Sequence, residues 1–392
     1  MRGFIHKHVI PGWMRDARRL LGEERGVALV LTLLVVALMT TLIVEFDFRT
    51  RLDLRSAYNF RDNAQATVLA DTGARVVSYI LSLDKDNYDG SPRTEDRFKD
   101  ATLWWELSGV NGREIGGFPI AGEVLPPGMN LILRVTDEGG KLNLNDLSYD
   151  SSAGTVPAEV TDHIEIFTRL LEELGFDDDP DLDVGVAGLV ECLLDRLDSS
   201  VGNSGVAAQC RHDGDLADIF AAGKGPMRTV DELRLVYGYT PEVVKRLTPH
   251  VTVLPPDVAP GGTPPAGGGT TVRPMHKINL NTASIELLAA LHPELGRGGA
   301  GNIDEFRSEQ PFRSLPGDLQ QVHGIGSGLN VGAGTLASKL APLVAATSDY
   351  FAVQVEGDVG DTRRTVRALL SRKRGTAALK SKKLEVLWWR VE

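Results

Sequence analysis

The sequence predicts an α+β protein in which a long N-terminal membrane helix packs on an antiparallel sheet, and a mainly helical insert interrupts that sheet. Three patterns lead to this prediction: an uncharged apolar run at 27–44, β-favouring runs near both ends of the remaining chain, and amphipathic helical runs between them. The chain has 392 residues, 42% hydrophobic and 24% charged. It is therefore long and apolar enough for roughly two to three folded units.

The apolar run at 27–44 is predicted to cross a membrane, because as a helix its eighteen uncharged residues just span the hydrocarbon core. Residues 1–25 contain six Lys or Arg and three Asp or Glu, and such a basic flank stays on the cytoplasmic side. The bulk of the chain is then expected on the other side. Glu45 follows the run, so there is no small-residue signal-peptidase site and the run should remain in the mature protein.

The helical pattern continues past the apolar run. From 46 to 83 there is no proline and one glycine, Gly73, and apolar residues recur every three or four positions. We expect one helix of more than fifty residues, apolar in its first third and amphipathic beyond, that ends at 84–87.

Four runs in the soluble part predict strands of one antiparallel sheet packed on this helix, and they lie at 130–136, 350–356, 362–371 and 384–391. Residues 357–361, with two glycines and two aspartates, predict a hairpin turn. Trp388 and Trp389 are adjacent in the last run, so one ring is expected to point inward and the other outward.

An internal repeat brackets the helical insert. Lys-Leu-Asn-Leu-Asn at 141–145 returns as Lys-Ile-Asn-Leu-Asn at 277–281, which predicts two related helical modules. Asn281 or Thr282 is expected to cap the helix that follows the second copy. Residues 253–276 are predicted to form a flexible linker, since ten of the fifteen residues at 255–269 are Pro or Gly. Further helices are expected at 164–174, 187–197, 229–237, 241–247 and 285–291.

The sequence contains no catalytic constellation, and we predict no enzyme activity and no catalytic residues. The eight histidines are scattered without metal-ligand spacing, and the chain lacks a G-x-S-x-G, an H-E-x-x-H and a phosphate-binding loop. A formal net charge of −11 also argues against a general nucleic-acid binder, whose affinity comes from clustered Lys and Arg.

Metal binding and a disulfide have better support. Carboxylates cluster at 177–183, at Asp195 and Asp198, and at 213–218, and hard oxygen donors in loops suit Ca²⁺. The run at 177–183 also fits a solvated loop with helix-capping aspartates. The two cysteines of the chain form either one disulfide or two buried thiols, and they are Cys192 and Cys210.

The N-terminal region resembles type IV prepilins and pseudopilins. In such proteins a membrane-embedded peptidase cuts after the glycine of a motif like Glu24-Arg25-Gly26, here between Gly26 and Val27. Most members carry a glutamate at the fifth mature position, where this chain has Leu31. That departure, and the paired N-L-N motifs in a pilin-like frame, resemble the K-type minor pseudopilin of type II secretion systems (general secretion pathway protein K).

The resemblance implies a type IV pilin-like fold interrupted by two SAM-like modules. The implied parts are a prepilin leader at 1–26, a transmembrane and amphipathic helix at 27–83, the first half of the pilin-like α/β part at 84–136, a SAM-like module at 137–252, a linker at 253–276, a second SAM-like module at 277–346, and the second half of the sheet at 347–392.

The resemblance also implies a structural subunit at the pseudopilus tip that promotes pseudopilus assembly and protein export across the outer membrane. Such a protein crosses the inner membrane once, with a cytoplasmic N-terminus and a periplasmic bulk. The implied partners are the I-, J- and H-type minor pseudopilins, the prepilin peptidase and the inner-membrane secretion platform.

K-type pseudopilins bind calcium through an acidic loop that reads D-W-x-D-x-D, and the matching stretch here is 195–200. Asp195 and Asp198 align with two of its carboxylates, whereas Ser200 replaces the third and Arg196 replaces the tryptophan. One hypothesis is that a disulfide between the two flanking cysteines substitutes for the ion, and calcium bound by the two aspartates is the alternative.

The alternative function is a membrane-anchored helix-hairpin-helix DNA receptor. The motif at 278–284 opens such domains, and the glycines of 323–326 resemble their hairpins. Residues 277–346 hold five Lys or Arg and six Asp or Glu, and Glu294 lies in the turn where a phosphate would bind. We therefore expect no nucleic-acid partner. The basic region 363–383 fits either a docking surface for acidic neighbours or a solvated hairpin.

Overall fold

The computed structural model describes residues 12–87, 118–119, 125–149, 156–179, 182, 184–198, 210, 225–255, 275–313, 315–326, 330–331, 334–372 and 384–392. It contains two compact units, residues 1–65 and residues 66–392.

The N-terminal element is a single helix, α1 (Gly12–Asn87). The predicted long helix is confirmed, and it begins earlier than expected, within the predicted leader. Between Gly12 and Asn87 the sequence contains no proline, and Pro11 directly precedes the helix. Proline is tolerated at a helix start but breaks a helix interior, so the whole stretch can remain helical.

The five-stranded sheet has the order β1-β2-β9-β10-β11, and every pair is antiparallel. Its strands are β1 (Phe118–Pro119), β2 (Met129–Asp137), β9 (Tyr350–Val359), β10 (Thr362–Ser371) and β11 (Glu385–Val391). All four predicted strands are therefore confirmed in one sheet.

The predicted turn at 357–361 is wrong in its extent. The pairing of β9 with β10 continues without a break to Val359↔Thr362, so the turn consists of Gly360 and Asp361 alone. Gly360 has φ +57°, which suits a tight hairpin. Gly357 lies inside β9 instead, where its lack of a side chain has a packing role.

One face of the sheet packs on the C-terminal part of α1. Small residues of the helix, Ala66, Ala70 and Ala74, are fully buried there. A Cβ atom built on Gly357 would lie 2.7 Å from the Ala66 carbonyl oxygen and 3.0 Å from the Ala70 amide nitrogen. The backbones of helix and strand thus approach too closely for any side chain at position 357.

The helical insert lies between β2 and β9. Its helices are α2 (Ala158–Glu173), α3 (Gly185–Leu197), α4 (Pro241–Leu247), α5 (Ile285–Ala290), α6 (Gly296–Glu309), α7 (Leu315–Gln321) and α8 (Leu336–Leu340). The predicted helix at 229–237 is instead a short 3₁₀ helix, Val230–Leu235, because Gly238 at φ +86° turns the chain there.

Two-stranded parallel pairs organise the insert around the repeat. The first copy supplies β3 (Leu142–Asn143), which pairs with β4 (Val251–Thr252). The second copy supplies β5 (Ile278–Asn279), which pairs with β8 (Val344–Ala345). A short antiparallel pair, β6 (Asn330–Val331) with β7 (Gly334–Thr335), completes the strands. Residues that follow both copies contribute to one continuous hydrophobic core.

The two described ends of the predicted linker belong to the fold rather than to a flexible segment. Val253 and Leu254 are buried, and the Leu254 amide donates to the Asn143 side chain at 2.9 Å. At the other end, the His276 amide donates to Asp146 Oδ2 at 2.8 Å. The Pro/Gly-rich stretch between these ends lies outside the described residues.

We expect Gly357→Ala to lower the free energy of unfolding by about 1–3 kcal/mol, because the new methyl group must push α1 away from the sheet. Urea unfolding of the detergent-solubilised chain, followed by tryptophan fluorescence, measures the change. The matched control is Gly301→Ala in α6, where a Cβ meets nothing within 4 Å and helix propensity favours alanine. Equal unfolding midpoints for the two variants would contradict the tight contact.

Candidate assembly surface and metal site

The first feature of functional interest is the uncovered apolar surface of α1. From Val27 to Val44 the large apolar side chains lie in the open, and the least exposed of them, Val35, is still 43% exposed. Among the described residues, α1 from Val27 to Ser82 is the one helix that is long and apolar enough to cross a membrane. A surface of this size needs lipid or another protein to cover it.

The polar side chains within this run are satisfied by the helix itself. The hydroxyl of Thr32 donates to the Leu29 carbonyl at 2.8 Å, and that of Thr40 to the Val36 carbonyl at 2.7 Å. Thr41 makes the same kind of bond at 2.9 Å. Hydroxyls that bond the preceding turn need no water, so these threonines are compatible with a hydrocarbon environment.

The predicted processing residues all lie in the helical N-terminal region. Gly26 and Val27 are consecutive residues within α1. Leu31 is one turn further on, and its side chain is exposed like those around it. At the fifth position after the predicted cut, the chain therefore presents an apolar side chain on an apolar surface.

Where the insert leaves and re-enters the sheet, a buried carboxylate collects four hydrogen bonds. Asp137, at the end of β2, accepts from the Gly139 amide at 2.8 Å and from Asn279 Nδ2 at 2.9 Å. It also accepts from the hydroxyls of Thr282 at 2.6 Å and Ser348 at 2.7 Å. Burial raises the pKa of the Asp137 carboxyl, and the four hydrogen bonds act in the opposite direction.

A buried arginine, Arg372, bonds the segments that meet beside this junction. Arg372 donates to the Ser348 carbonyl at 2.7 Å and to the Leu81 carbonyl of α1 at 3.4 Å. Its guanidinium lies over the Phe351 ring, 4.7 Å from the centroid. The last turns of α1, the end of β10 and the start of β9 are thereby joined beside the insert.

The second asparagine of each repeat forms the same three hydrogen bonds. Asn145 donates to the carbonyls of Met227 and Leu254, both at 2.9 Å, and accepts from the Met227 amide at 2.8 Å. Asn281 donates to the carbonyls of Phe312 and Ala346, at 3.0 and 2.9 Å. It accepts from the Phe312 amide at 2.7 Å. Each amide thus joins two segments that are distant in sequence, and we call this arrangement the asparagine clamp.

The first asparagine also makes equivalent hydrogen bonds in the two copies of the repeat. Asn143 Oδ1 accepts from the Asn145 amide at 3.3 Å, and Asn279 Oδ1 accepts from the Asn281 amide at 3.1 Å. Their amide groups donate to carboxylates, Asn143 to Asp146 at 3.0 Å and Asn279 to Asp137. The expectation that Asn281 or Thr282 caps the following helix is wrong. Asn281 bonds the backbone of Phe312 and Ala346, and Thr282 donates to Asp137. Ser284 caps α5 instead, and it accepts from the Leu287 amide at 3.2 Å.

The structure joins Cys192 and Cys210 by a disulfide with an S–S distance of 2.04 Å. Both residues are buried. Asp195 and Asp198 follow Cys192 at the end of α3, and among the described residues no group of three or more His, Cys, Asp or Glu side chains is arranged to hold a metal ion. Ser200 and the acidic residues of 213–218 lie outside the described residues.

The residues next to these two aspartates bond to other segments of the chain. Arg196, between them, donates to the Gly225 carbonyl at 2.7 Å and to Glu232 Oε2 at 3.1 Å, and burial lowers its pKa. The Leu197 carbonyl accepts from the Ser148 hydroxyl at 2.8 Å. Calcium requires six to eight oxygen ligands, and a guanidinium beside two carboxylates opposes a further cation.

The acidic run at 177–183 is tied to α4 in its described part. Arg246 donates to Asp179 Oδ2 at 2.9 Å and bonds the Leu174 carbonyl near the end of α2. The same guanidinium lies over the Phe176 ring, 4.2 Å from the centroid. Asp177 and Asp178 are exposed. Asp179 therefore helps to hold the turn after α2, and its neighbours form a solvated stretch.

The residues that resemble a helix-hairpin-helix are engaged within the chain. Arg297, at the start of α6, donates to Glu173 Oε2 at 2.7 Å and to the Glu173 carbonyl at 3.0 Å. Arg169 of α2 donates to the carbonyls of Ala290 and Leu291 at 2.7 and 3.3 Å. The end of α5 and the turn before α6, which would face a phosphate, thus face the first module instead.

A third contact between the modules involves a histidine. His250 Nδ1 lies 2.7 Å from the Ser284 hydroxyl, the capping residue of α5, and 4.0 Å from Glu286. Burial lowers the pKa of His250, with Lys141 acting in the same direction and Glu286 against it. The His250 ring thus joins the first module to the capping residue of α5.

Sequence reasoning missed the junction residues Ser348 and Arg372. The Asp137-Glu138-Gly139-Gly140 stretch carried a usable signal, because paired glycines beside a carboxylate predict a close backbone approach. A Cβ on Gly140 would lie 2.8 Å from the Thr282 carbonyl carbon. No local pattern marks Ser348 or Arg372, whose partners are distant in sequence.

We expect Asn145→Ala and Asn281→Ala each to lower the free energy of unfolding by about 3 kcal/mol, because each leaves buried backbone groups without partners. The two losses should match, since the two clamps contain the same three bonds. The control is Asn302→Ala, whose amide donates to the His323 carbonyl at an exposed site and should cost less than about 1 kcal/mol. Denaturant titration measures all three, and a loss confined to one module would contradict the equivalence.

Comparison with known proteins agrees with these observations. A family model described as type II secretion system protein K matches residues 140–256, and one described as a helix-hairpin-helix motif matches residues 274–329. The protein K model begins at the junction and covers the first module. The helix-hairpin-helix model covers the segment in which Arg297 bonds Glu173 of that module.

Curated relatives resemble the chain over most of its length. The type II secretion system protein K of Pseudomonas aeruginosa is 28% identical over 352 residues, which is 89% of each chain. The protein of the same name from Klebsiella pneumoniae is 25% identical and covers 93% of this chain and 98% of its own. That from Aeromonas hydrophila is 24% identical and covers 89% of this chain and 93% of its own.

Among solved structures, the fold is similar to a chain of the GspK–GspI–GspJ complex from the type 2 secretion system of enterotoxigenic Escherichia coli. The TM-score is 0.53 at 16% identity, with 87% of this chain and 99% of that chain covered. Together with the protein K matches, this confirms the resemblance that the sequence predicted. The chain is therefore similar, over most of its length, to protein K of type II secretion systems, the K-type minor pseudopilins.

Proposed function

We propose that this minor pseudopilin is the tip subunit of a pseudopilus and that it promotes pseudopilus assembly and protein export across the outer membrane. The observation that carries the proposal is the uncovered apolar surface of α1 in a chain that also carries a large helical insert. Such a helix can pack laterally with the helices of other pseudopilins. The insert adds bulk that a filament shaft would accommodate poorly, and Leu31 replaces the glutamate that shaft subunits carry.

The related E. coli structure contains GspI and GspJ, so the I- and J-type minor pseudopilins are the first partners to expect here. We also propose the H-type pseudopilin, the prepilin peptidase and the inner-membrane secretion platform as partners. The basic residues before the apolar run support a cytoplasmic N-terminus, with one pass through the inner membrane and a periplasmic bulk.

We propose the division of the chain at 1–26, 27–83, 84–136, 137–252, 253–276, 277–346 and 347–392. Two SAM-like modules at 137–252 and 277–346 are supported by the two asparagine clamps, which start from equivalent repeat positions. A parallel strand pair accompanies each clamp. The same small helical unit therefore recurs on both sides of the linker.

Co-expression with a prepilin peptidase should shift the N-terminus to Val27 and lower the mass by about 3 kDa. Replacing the glycine before the cut, Gly26→Val, should leave the full-length chain and fail to restore secretion in a strain that lacks its K-type protein. Gly22→Val, in the same part of the leader, is the matched control and should be processed normally. Intact-mass spectrometry reads the cut, and an intact leader in the wild-type chain would leave a permanent single-span anchor and remove the pseudopilin mechanism.

We propose that the loop after α3 is held by the Cys192–Cys210 disulfide and by Arg196 rather than by calcium. The disulfide closes a loop across 18 positions, and Arg196 links the end of α3 to Gly225 and Glu232. A covalent link and a half-buried ion pair would fix this loop, as a bound cation would by drawing carboxylates together. Asp195 and Asp198 remain the carboxylates to which calcium would bind if the ion is used.

The double variant Cys192→Ser/Cys210→Ser should lower the free energy of unfolding by about 3 kcal/mol, the chain-entropy value for a loop of this size. Calcium and a chelator should leave the unfolding midpoint of the oxidised wild-type chain unchanged. Asp195→Asn/Asp198→Asn is the matched control, and calcium and the chelator should likewise leave its own midpoint unchanged. A calcium-dependent rise in the midpoint that this control abolishes would establish a calcium site instead.

A further inference from the structure

The contact between His250 and Ser284 is built on fixed backbone on both sides. The His250 amide donates to the Leu247 carbonyl at 2.9 Å, and its carbonyl accepts from the Leu142 amide at 3.0 Å. The His250 side chain is 11% exposed. On the other side, Ser284 is the N-cap residue of α5. The ring and the hydroxyl therefore meet at a buried boundary between the two modules.

The direction of this hydrogen bond depends on the protonation of the ring. The Ser284 oxygen already accepts from the Leu287 amide at 3.2 Å, which satisfies one free N–H at the start of α5. Its single hydroxyl hydrogen remains to donate, and His250 Nδ1 lies 2.7 Å away. A ring nitrogen without a proton accepts that hydrogen bond. With a proton on Nδ1, the hydroxyl hydrogen would face a second donor, so Ser284 would have to turn it away and accept from two N–H groups.

Charged groups from both modules act on the ring. Glu286, in the first turn of α5, has its carboxylate 4.0 Å from His250 Nδ1 and is 41% exposed. Lys141 acts from the first repeat, and its ammonium group donates to Glu138 at 2.8 Å. Burial has the largest effect on the pKa of His250 and lowers it, Lys141 also lowers it, and Glu286 raises it. The charged ring is therefore disfavoured beside Ser284, and Glu286 is the carboxylate toward which it would turn.

We propose that His250 is a pH-sensitive contact between the two modules of the insert. The neutral ring accepts from Ser284 and holds the start of α5 against the first module. The protonated ring gives up this bond and turns to Glu286, which frees the first turn of α5. Because burial disfavours the charged ring, the contact is complete above the ordinary histidine pKa of about 6.5 and is lost as the pH falls from there.

The other contacts between the modules do not respond to pH in this range. Arg169 donates to the carbonyls of Ala290 and Leu291, and Arg297 donates to the Glu173 carbonyl at 3.0 Å. An arginine stays charged, and a carbonyl does not titrate. The modules should therefore stay associated in mild acid, with the loosening confined to the Ser284 end of α5. This inference concerns the insert and does not depend on the tip position proposed above.

The test is hydrogen exchange of the full chain in nanodiscs of zwitterionic lipid, measured by mass spectrometry between about pH 8 and about pH 5, where histidine titrates. After correction for the intrinsic pH dependence of exchange, protection of the α5 amides should fall as the pH falls. The fall should be at most about tenfold per pH unit, the limit for uptake of one proton. Helix α3 is the internal reference and should keep its protection. Equal losses in α3 and α5 would mean general unfolding in acid and would overturn the proposal.

Three single variants assign the proton. His250→Gln keeps a polar side chain that cannot become charged, so protection of α5 should no longer depend on pH. Glu286→Gln removes the attraction that favours the charged ring, so the loss of protection should begin at a lower pH. His292→Gln is the matched control, because this histidine directly follows α5 and burial also lowers its pKa. It should behave like the wild type.

The outcomes separate a titrating contact from a merely structural one. Protection of α5 that does not change with pH in the wild-type chain overturns the proposal. A wild-type pH dependence in His250→Gln, or its loss in His292→Gln, assigns the effect to another histidine and also overturns it. If His250→Gln loses protection at every pH, Glu286→Gln decides. A transition at lower pH in Glu286→Gln supports the proposal, whereas an unchanged transition makes His250 a structural contact alone.

Discussion

The fold depends on bringing the two ends of a long insert back within one strand spacing. β2 and β9 are paired neighbours, with Asp137 opposite Phe351, yet the whole helical insert lies between them. Burial of a carboxylate destabilises the folded state unless the carboxylate accepts hydrogen bonds. Asp137 accepts them from groups in three segments of the chain. The strand end, the second module and the return to β9 are therefore specified together. None of the three can move without leaving buried polar groups unpaired.

The asparagine clamps apply the same constraint within each module. One side-chain amide supplies two donors and one acceptor, which matches the needs of two backbone segments that no regular strand ladder connects. Apolar burial alone would hold these segments near each other without fixing their register. The clamp adds that specificity at Asn145 and at Asn281. Since the cores of both modules are continuous, the insert can present one surface to its partners.

Local pattern predicted the elements well and the junctions poorly. The strand predicted at 362–371 matches β10 to the residue, and the helix predicted at 241–247 matches α4. In the structure, Thr240 caps α4 and Pro241 begins it. The repeat identified Asn281, but we predicted a helix-capping role for it. A sequence pattern indicates bonds to nearby backbone, whereas the actual partner, Phe312, is 31 positions away. Gly357 was read as a turn residue because a glycine needed for close packing looks the same as one needed for a turn.

The disulfide and the membrane run are connected by redox chemistry. A disulfide persists in an oxidising compartment, and the orientation proposed above, with the basic flank in the reducing cytoplasm, would place the bulk of the chain in such a compartment. A covalent link also works at any calcium concentration, whereas Arg196 makes the neighbouring carboxylates a poorer cation site. Serine in place of the third aligned carboxylate at position 200 favours the same outcome. On the function proposed above, the disulfide and Arg196 would hold the described ends of this loop without an ion, and the disulfide would form after export.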